Sequence, residues 1–204
     1  MFRLQNNTKL LSNFYEKPTI NVAKNLLGKI LVRIISGIPL AGIIVETEAY
    51  LSKNDEASHS FRGKSTQNKT MFNSCGYLYV YQIYGIYFCC NVVTGMENIG
   101  EAVLIRAIEP ILNIEIMQKN RFINYNGNNI NKISIANGPA KLCKSLSITK
   151  IDDGTNLIGN DIFILDCENI SNEKIVQTTR IGIKKSKELP LRFYIKGNMF
   201  ISKK

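Results

Sequence analysis

Apolar residues fall along the chain in short runs whose spacing predicts more strands than helices. Ile30 to Ile35 and Ala41 to Tyr50 are rich in β-branched residues and predict two strands, joined by Ser36-Gly37-Ile38-Pro39, the composition of a hairpin loop. Tyr77 to Tyr84 and Ile86 to Val93 read as a second strand pair that reverses at Gly85, and Glu101 to Ile108 as a further strand. Ile162 to Leu165, Ile175 to Thr179 and Leu191 to Ile195 supply the last three. Helical spacing is confined to three places. Thr19 is expected to cap a helix whose final turns run from Val22 to Leu27 and which Gly28 stops. Pro110 is expected at the first position of a helix over Ile111 to Arg121, and Asn137-Gly138-Pro139 opens a short one through Leu146. The polar stretch from Leu51 to Asn73 predicts a surface loop with functional potential, and an Asn-rich loop over 124–131 is the best candidate for local disorder. No repeat is visible. This order predicts an α+β fold on a mainly antiparallel sheet, and 204 residues fit one compact domain, 1–204, with a sizeable core.

Two of the strands carry charge where a strand should not. In Gly42-Ile43-Ile44-Val45-Glu46-Thr47-Glu48-Ala49-Tyr50, alternation puts Ile44, Glu46, Glu48 and Tyr50 on one face, with the two carboxylates about 7 Å apart. A solvated edge strand explains the same pattern. In Val103-Leu104-Ile105-Arg106-Ala107-Ile108 a guanidinium interrupts a run that otherwise reads as buried on both faces. An unpaired buried charge is too costly to keep, so Arg106 needs a carboxylate or a polar cavity, and Glu48 or Glu46 is the economical partner. A purely structural ion pair satisfies that need equally. Tyr77, Tyr79, Tyr81, Tyr84 and Tyr87 crowd one predicted hairpin. Tyr81 and Tyr84 differ in parity, so Tyr84 beside Gly85 is expected at the tip, where an exposed ring makes a wedge for a base stack; the other rings offer flat platforms, or simply fill a core.

Composition changes the picture in three ways. Lys+Arg 26 against Asp+Glu 16 gives a formal charge of +10, which favours a polyanionic partner. The excess is concentrated: no carboxylate occurs from Ala57 to Met96, which holds Arg62, Lys64 and Lys69, or from Met117 to Lys150, which holds Lys119, Arg121, Lys132, Lys141, Lys144 and Lys150. Both tracts could follow phosphates, although general over-use of Lys, Asn and Ile would also produce them. The five cysteines, odd in number and including the adjacent Cys89-Cys90, suit neither a disulfide framework nor zinc spacing, and are expected as free thiols in a reducing, intracellular setting. Neither a signal peptide nor a membrane span is read in the chain. A single histidine, His59, excludes sites that need two imidazoles.

The strings VETEAY, DEASHS, LYVYQIYGIYFCCNV, VLIRAIEP, NGPAKLC and LRFY resemble, in order, the motifs of the alkyladenine (3-methyladenine) DNA glycosylase family, from about Asn25 to the C-terminal strand. The loop Phe61 to Thr66 departs from the family's pattern, and the Cys89-Cys90 pair is not diagnostic of it. The resemblance implies a single α+β domain with a curved antiparallel sheet, flanking helices and a protruding β-hairpin that meets DNA in the minor groove. It implies a monofunctional enzyme without cofactor that rotates a damaged purine (3-methyladenine, hypoxanthine or ethenoadenine) out of double-stranded DNA and hydrolyses its bond to deoxyribose with water. Carried over by motif, Glu48 would be the general base and Arg106 would help hold the water, with the Ile181 carbonyl as a third contact. Tyr50 and Tyr81 would sandwich the base, His59 would hydrogen-bond its edge or nearby backbone, and Asn91 would crowd the amino group of guanine. Tyr84 would fill the place the base vacates. The acid for a neutral leaving purine is unassigned, and water could serve. A small basic domain of this kind is expected to act as a monomer, away from membranes.

Two other classes fit parts of the pattern. A noncatalytic RNA-binding β-domain would also be basic with aromatic platforms but has no need of an acid and arginine pair. A metal-dependent nuclease would use Glu46, Glu48, Asp55 and Glu56 as ligands.

Overall fold

The computed structural model describes residues 7–122 and 131–203. Its eight strands are β1 (Ile30–Ile35), β2 (Ile38–Tyr50), β3 (Leu78–Ile83), β4 (Tyr87–Thr94), β5 (Glu101–Leu112), β6 (Ile162–Leu165), β7 (Ile175–Thr178) and β8 (Arg192–Ile195). The helices are α1 (Ser12–Tyr15), α2 (Thr19–Asn25), α3 (Ile114–Arg121) and α4 (Pro139–Ser145). All pairings are antiparallel, in the order β3-β4-β5-β2-β1-β6, with β8 joining β2 and β7 joining β8. The sheet curls into a half-barrel, giving the α+β single domain expected from the pattern.

Strand β2 organises the sheet. Along one side it pairs with β5; along the other it gives Ile38–Ile43 to β1 and Glu46–Glu48 to β8. The change of partner coincides with a break in register: Ile44 faces Ile108, Glu46 faces Ala107 and Thr47 faces Ile105, so Val45 on β2 and Arg106 on β5 are each surplus to the ladder. A surplus residue resets which side its neighbours face. Ile44 therefore points into the main core, and Glu46, Glu48 and Tyr50 point the other way, correcting the uninterrupted alternation expected from the sequence. Past the bulge, Thr47 lies on the helical side and donates to the Ala23 carbonyl of α2 at 2.8 Å.

The core lies between the sheet and the helices, where Leu26, Leu31, Leu40, Ile105, Leu142 and Phe193 are closed from solvent. Burial at roughly 25 cal/mol per Å² of apolar surface drives that packing, and smaller apolar clusters (Ile30, Val32, Ala41 and Leu165; Val45, Ala107 and Ile201) share the rest of the sheet with the polar side chains.

Three local expectations change. Thr19 is the first helical residue, not the cap; Pro18 takes that place, and the Thr19 hydroxyl turns to Thr94 and Glu101 across the chain. Pro110 does not open a helix but sits in β5 opposite Gly42 at another register shift, where its missing N–H costs the ladder least. Helix α3 then starts after Asn113, whose left-handed backbone (φ 52°) turns the chain. The loop between β1 and β2 shrinks to Ser36-Gly37, both with positive φ, because that turn matches the twist of paired strands. Between β3 and β4 the reversal takes three residues, Tyr84-Gly85-Ile86, the first two with positive φ. Residues 124–130 of the Asn-rich loop lie outside the described residues.

Candidate active site

Strand register assembles the site. Tyr79 on β3 faces Asn91 on β4, Asn91 faces Leu104 on β5, Leu104 faces Glu48 on β2, and Glu48 faces Arg192 on β8. Directly opposed residues share a face, so this row crosses five strands on the side away from the helices. Glu48 and Glu46 are both closed from solvent.

Arg106, standing out of the ladder, reaches both carboxylates: Nε donates to Glu46 Oε1 at 3.0 Å and Nη1 lies 3.1 Å from Glu48 Oε2. Burial works against the cation, but Glu48 and then Glu46 outweigh it and push the Arg106 pKa above its ordinary value. Glu48 also accepts the Tyr50 hydroxyl on Oε2 (2.9 Å) and the Ile181 amide on Oε1 (2.8 Å). At Ile181, then, the contact in place is made by the amide N–H, not by the carbonyl singled out from the motif. Glu46 accepts Arg192 Nε (2.7 Å), the Ser202 amide (2.5 Å) and the Ser202 hydroxyl (2.9 Å), so the C-terminal segment straps the network. A third pair, Asp55 with Arg180, is enclosed close by. Three carboxylates thus meet three guanidiniums, and no excess charge is left in a medium where one would cost several kcal/mol.

Beside Glu48 opens a small pocket lined by Tyr50, His59, Met71, Tyr79, Tyr81 and Asn91. His59 packs edge-on against Tyr81 (centroids 4.5 Å apart), and its Nδ1 lies 2.9 Å from the Tyr79 hydroxyl. Tyr79 and Tyr81 stack at 5.6 Å. Asn91 is held by donating to the Tyr79 carbonyl at 3.3 Å. Burial first, with Glu48 adding at Tyr50 and Cys89 adding at Tyr81, pushes both phenols well above the ordinary tyrosine range, so they act as neutral hydrogen-bonding rings. Burial pushes His59 below its usual value. The Cys89 thiol is pushed up to about 12, by burial first and then by Cys90, which keeps it a thiol and not a nucleophile.

The pocket leads into a wider groove bordered by Ser65, Asn68, Gln82, Ile83 and Lys150. Beyond it the β3–β4 hairpin projects, with Tyr84 89% and Ile86 68% exposed at its tip. Arg62, Lys64 and Lys69 are exposed on the loop beneath.

Glu48, Arg106, Tyr50, His59, Tyr81, Asn91 and the Ile181 backbone are thus gathered in one place, with Tyr84 on the hairpin outside it. The nuclease arrangement is not gathered: Glu46 belongs to Arg106 and Arg192, Asp55 to Arg180, and Glu56 to Lys185. Among the described residues no group of three His, Cys, Asp or Glu side chains could hold a metal ion. Tyr79, read from the sequence only as one of several ring platforms, lines the pocket; sequence reasoning missed Met71, Arg192 and the Asp55–Arg180 pair. Asp55 and Arg192 lie in strings singled out above, and one signal was at hand for Arg192: like Arg106, it interrupts an apolar run in Leu191-Arg192-Phe193-Tyr194-Ile195.

A curled antiparallel sheet that sets an enclosed carboxylate at the edge of an aromatic slot has the make-up of a hydrolase site. Comparison with known proteins gives that class a family. Residues 13–199 match the family described as Methylpurine-DNA glycosylase (MPG). A provisionally named 3-methyladenine DNA glycosylase of Methanoculleus marisnigri is 45% identical over 194 residues, covering 94% of this chain and 97% of that protein. Proteins of the same provisional name from Francisella tularensis subsp. tularensis (49% over 189 residues, 91% and 94%) and Clostridium perfringens (44% over 204 residues, 96% and 100%) are similar throughout. The chain belongs to the methylpurine-DNA glycosylase family, whose members are DNA-repair hydrolases acting on DNA.

Proposed function

We propose that this protein is a monofunctional glycosylase that rotates alkylated or deaminated purines (3-methyladenine, hypoxanthine and ethenoadenine) out of duplex DNA and hydrolyses the N-glycosidic bond. The observation that carries this reading is the Glu48 carboxylate, fixed by Arg106, Tyr50 and the Ile181 amide at the edge of an aromatic pocket. A stacked base cannot be reached at its sugar carbon, so the nucleotide must leave the helix at a cost on the order of a few kcal/mol, least for weakened pairs. Tyr84, exposed at the tip of the β3–β4 hairpin, enters the gap, while the basic loop and groove neutralise phosphates.

Tyr50 and Tyr81 hold the extruded purine between their faces, His59 meets its edge and Asn91 crowds an exocyclic amino group at the position guanine carries one. As the bond to the base lengthens, positive charge develops on the anomeric carbon; Glu48 stabilises it and takes a proton from the attacking water, which Arg106 and the Ile181 carbonyl help to hold. Water is the nucleophile, and no lysine is among the described residues lining the pocket. An alkylated base leaves as a neutral molecule because it starts positively charged; a neutral purine needs a proton, which solvent in the outer groove can supply. The protein is read as an intracellular monomer that needs no cofactor.

The test is incubation with duplex oligonucleotides carrying hypoxanthine, ethenoadenine or methylated purines in EDTA. Free base should appear together with abasic sites that break only on alkaline treatment. Strand cleavage without free base would indicate a nuclease, and binding without any product a recognition domain.

A further inference from the structure

Asp55 and Arg180 form an ion pair for which the chemistry above has no use. The two are 125 residues apart and meet as a two-pronged fork, Nη1 to Oδ2 at 2.7 Å and Nη2 to Oδ1 at 2.5 Å, with both side chains closed from solvent. Asp55 is itself held by the Leu51 amide (3.0 Å) and the Ala57 amide (3.3 Å). Arg180 reaches further: Nη1 also donates to the Ala49 carbonyl at 3.0 Å, and the guanidinium carbon lies 4.6 Å from the centre of the Tyr50 ring. The pair therefore joins the end of β2, the loop that follows it, one face of Tyr50 and the backbone leading into Ile181. Two of the three donors to Glu48 depend on these points, namely the Tyr50 hydroxyl and the amide of the residue next to Arg180.

We propose that Asp55 and Arg180 are positioning residues for base excision, orienting the Glu48 carboxylate through the Tyr50 ring and the Ile181 peptide. The proposal rests on the reading of Glu48 as the base that activates water. A buried ion pair adds little net stability over apolar residues of the same size, because removing two charges from water offsets their attraction. What the fork supplies is geometry: a planar guanidinium on a carboxylate fixes distance and orientation together, and a stacked ring is held in a defined plane. Orientation matters here because displacing a reacting group by about 1 Å costs on the order of 100-fold in rate.

The experiment compares wild type with the double variant Asp55→Asn/Arg180→Gln, which removes both charges and strands neither. Three quantities are measured: single-turnover release of hypoxanthine, affinity for a duplex holding a tetrahydrofuran abasic analogue, and thermal unfolding. The pair's positioning role requires a release rate lower by about 10- to 100-fold with DNA affinity held within about threefold and cooperative unfolding retained. Wild-type release by the folded double variant overturns the proposal, as does a loss of rate matched by equal losses of affinity and folding. If the double variant does not fold, Arg180→Lys decides, since a lysine keeps the charge but cannot span Asp55 and the Ala49 carbonyl together. A slower rate at unchanged affinity then supports the proposal, and an unchanged rate overturns it. A wild type that releases no base removes the role of Glu48 and this proposal with it, whereas an active wild type beside variants that release base equally fast removes this proposal alone.

Discussion

His59 has one side against solvent and the other wedged on Tyr79 and Tyr81. Because packing lowers its pKa in the folded protein, the unfolded chain binds more protons between the lowered value and the usual one near 6.5. Stability from this residue is present in full above about pH 6.5 and is lost as pH falls through the folded value. Urea midpoints at pH 7.5 and 5.5 should therefore fall more for wild type than for His59→Gln; an equal fall would show that the ring titrates freely. The effect should be small, since water screens the exposed side. The same scale shows what the chain discloses by itself. Arg106 was legible because a guanidinium in an apolar run must find a partner, and Glu48 because a carboxylate on the neighbouring apolar strand answers it. That Arg106 holds Glu46 as well as Glu48 was not, since the choice depends on a bulge that sequence periodicity does not display. Asp55 and Arg180 were out of reach for a different reason: only the closed fold brings a loop residue and a segment 125 positions later together.

At the scale of elements, strand content and most boundaries followed from period-two patterning, while the errors fell where a second force overrode it. Pro110 is a good first residue for a helix, yet pairing of β5 with β2 over Ala41–Tyr50 kept it in a strand. Ile44 was placed by alternation on the wrong face because Val45 is surplus at the point where β2 changes partner. That irregularity is what turns three acidic or phenolic side chains out of the core together. The β3–β4 hairpin is the element that its sequence described best: Tyr84 and Gly85 lie in its three-residue reversal, and the Tyr84 ring stands free. Tyr84→Ala should leave thermal stability unchanged, because nothing buried is lost, and should weaken binding to a lesion duplex by about 1–3 kcal/mol, the scale of one base–aromatic contact. Equal affinity of the variant for lesion and undamaged duplexes to that of wild type would remove the wedge role.

For the molecule as a whole, a charge of +10 with two tracts free of carboxylates should make DNA affinity strongly dependent on salt. Between 50 and 200 mM salt the dissociation constant should rise at least about tenfold, as expected when several phosphates are neutralised. A flat dependence would mean that the lysines only keep the protein in solution. Affinity, however, is shared by many basic proteins, whereas excision requires that the enclosed acid face the extruded nucleotide. The most direct measurement is therefore single-turnover base release by Glu48→Gln beside its affinity for the same lesion duplex. Glutamine keeps the shape of the side chain but cannot take a proton from water, so release should fall by about 100-fold or more while binding persists. Release at the wild-type rate by a variant that still binds the lesion would contradict the account.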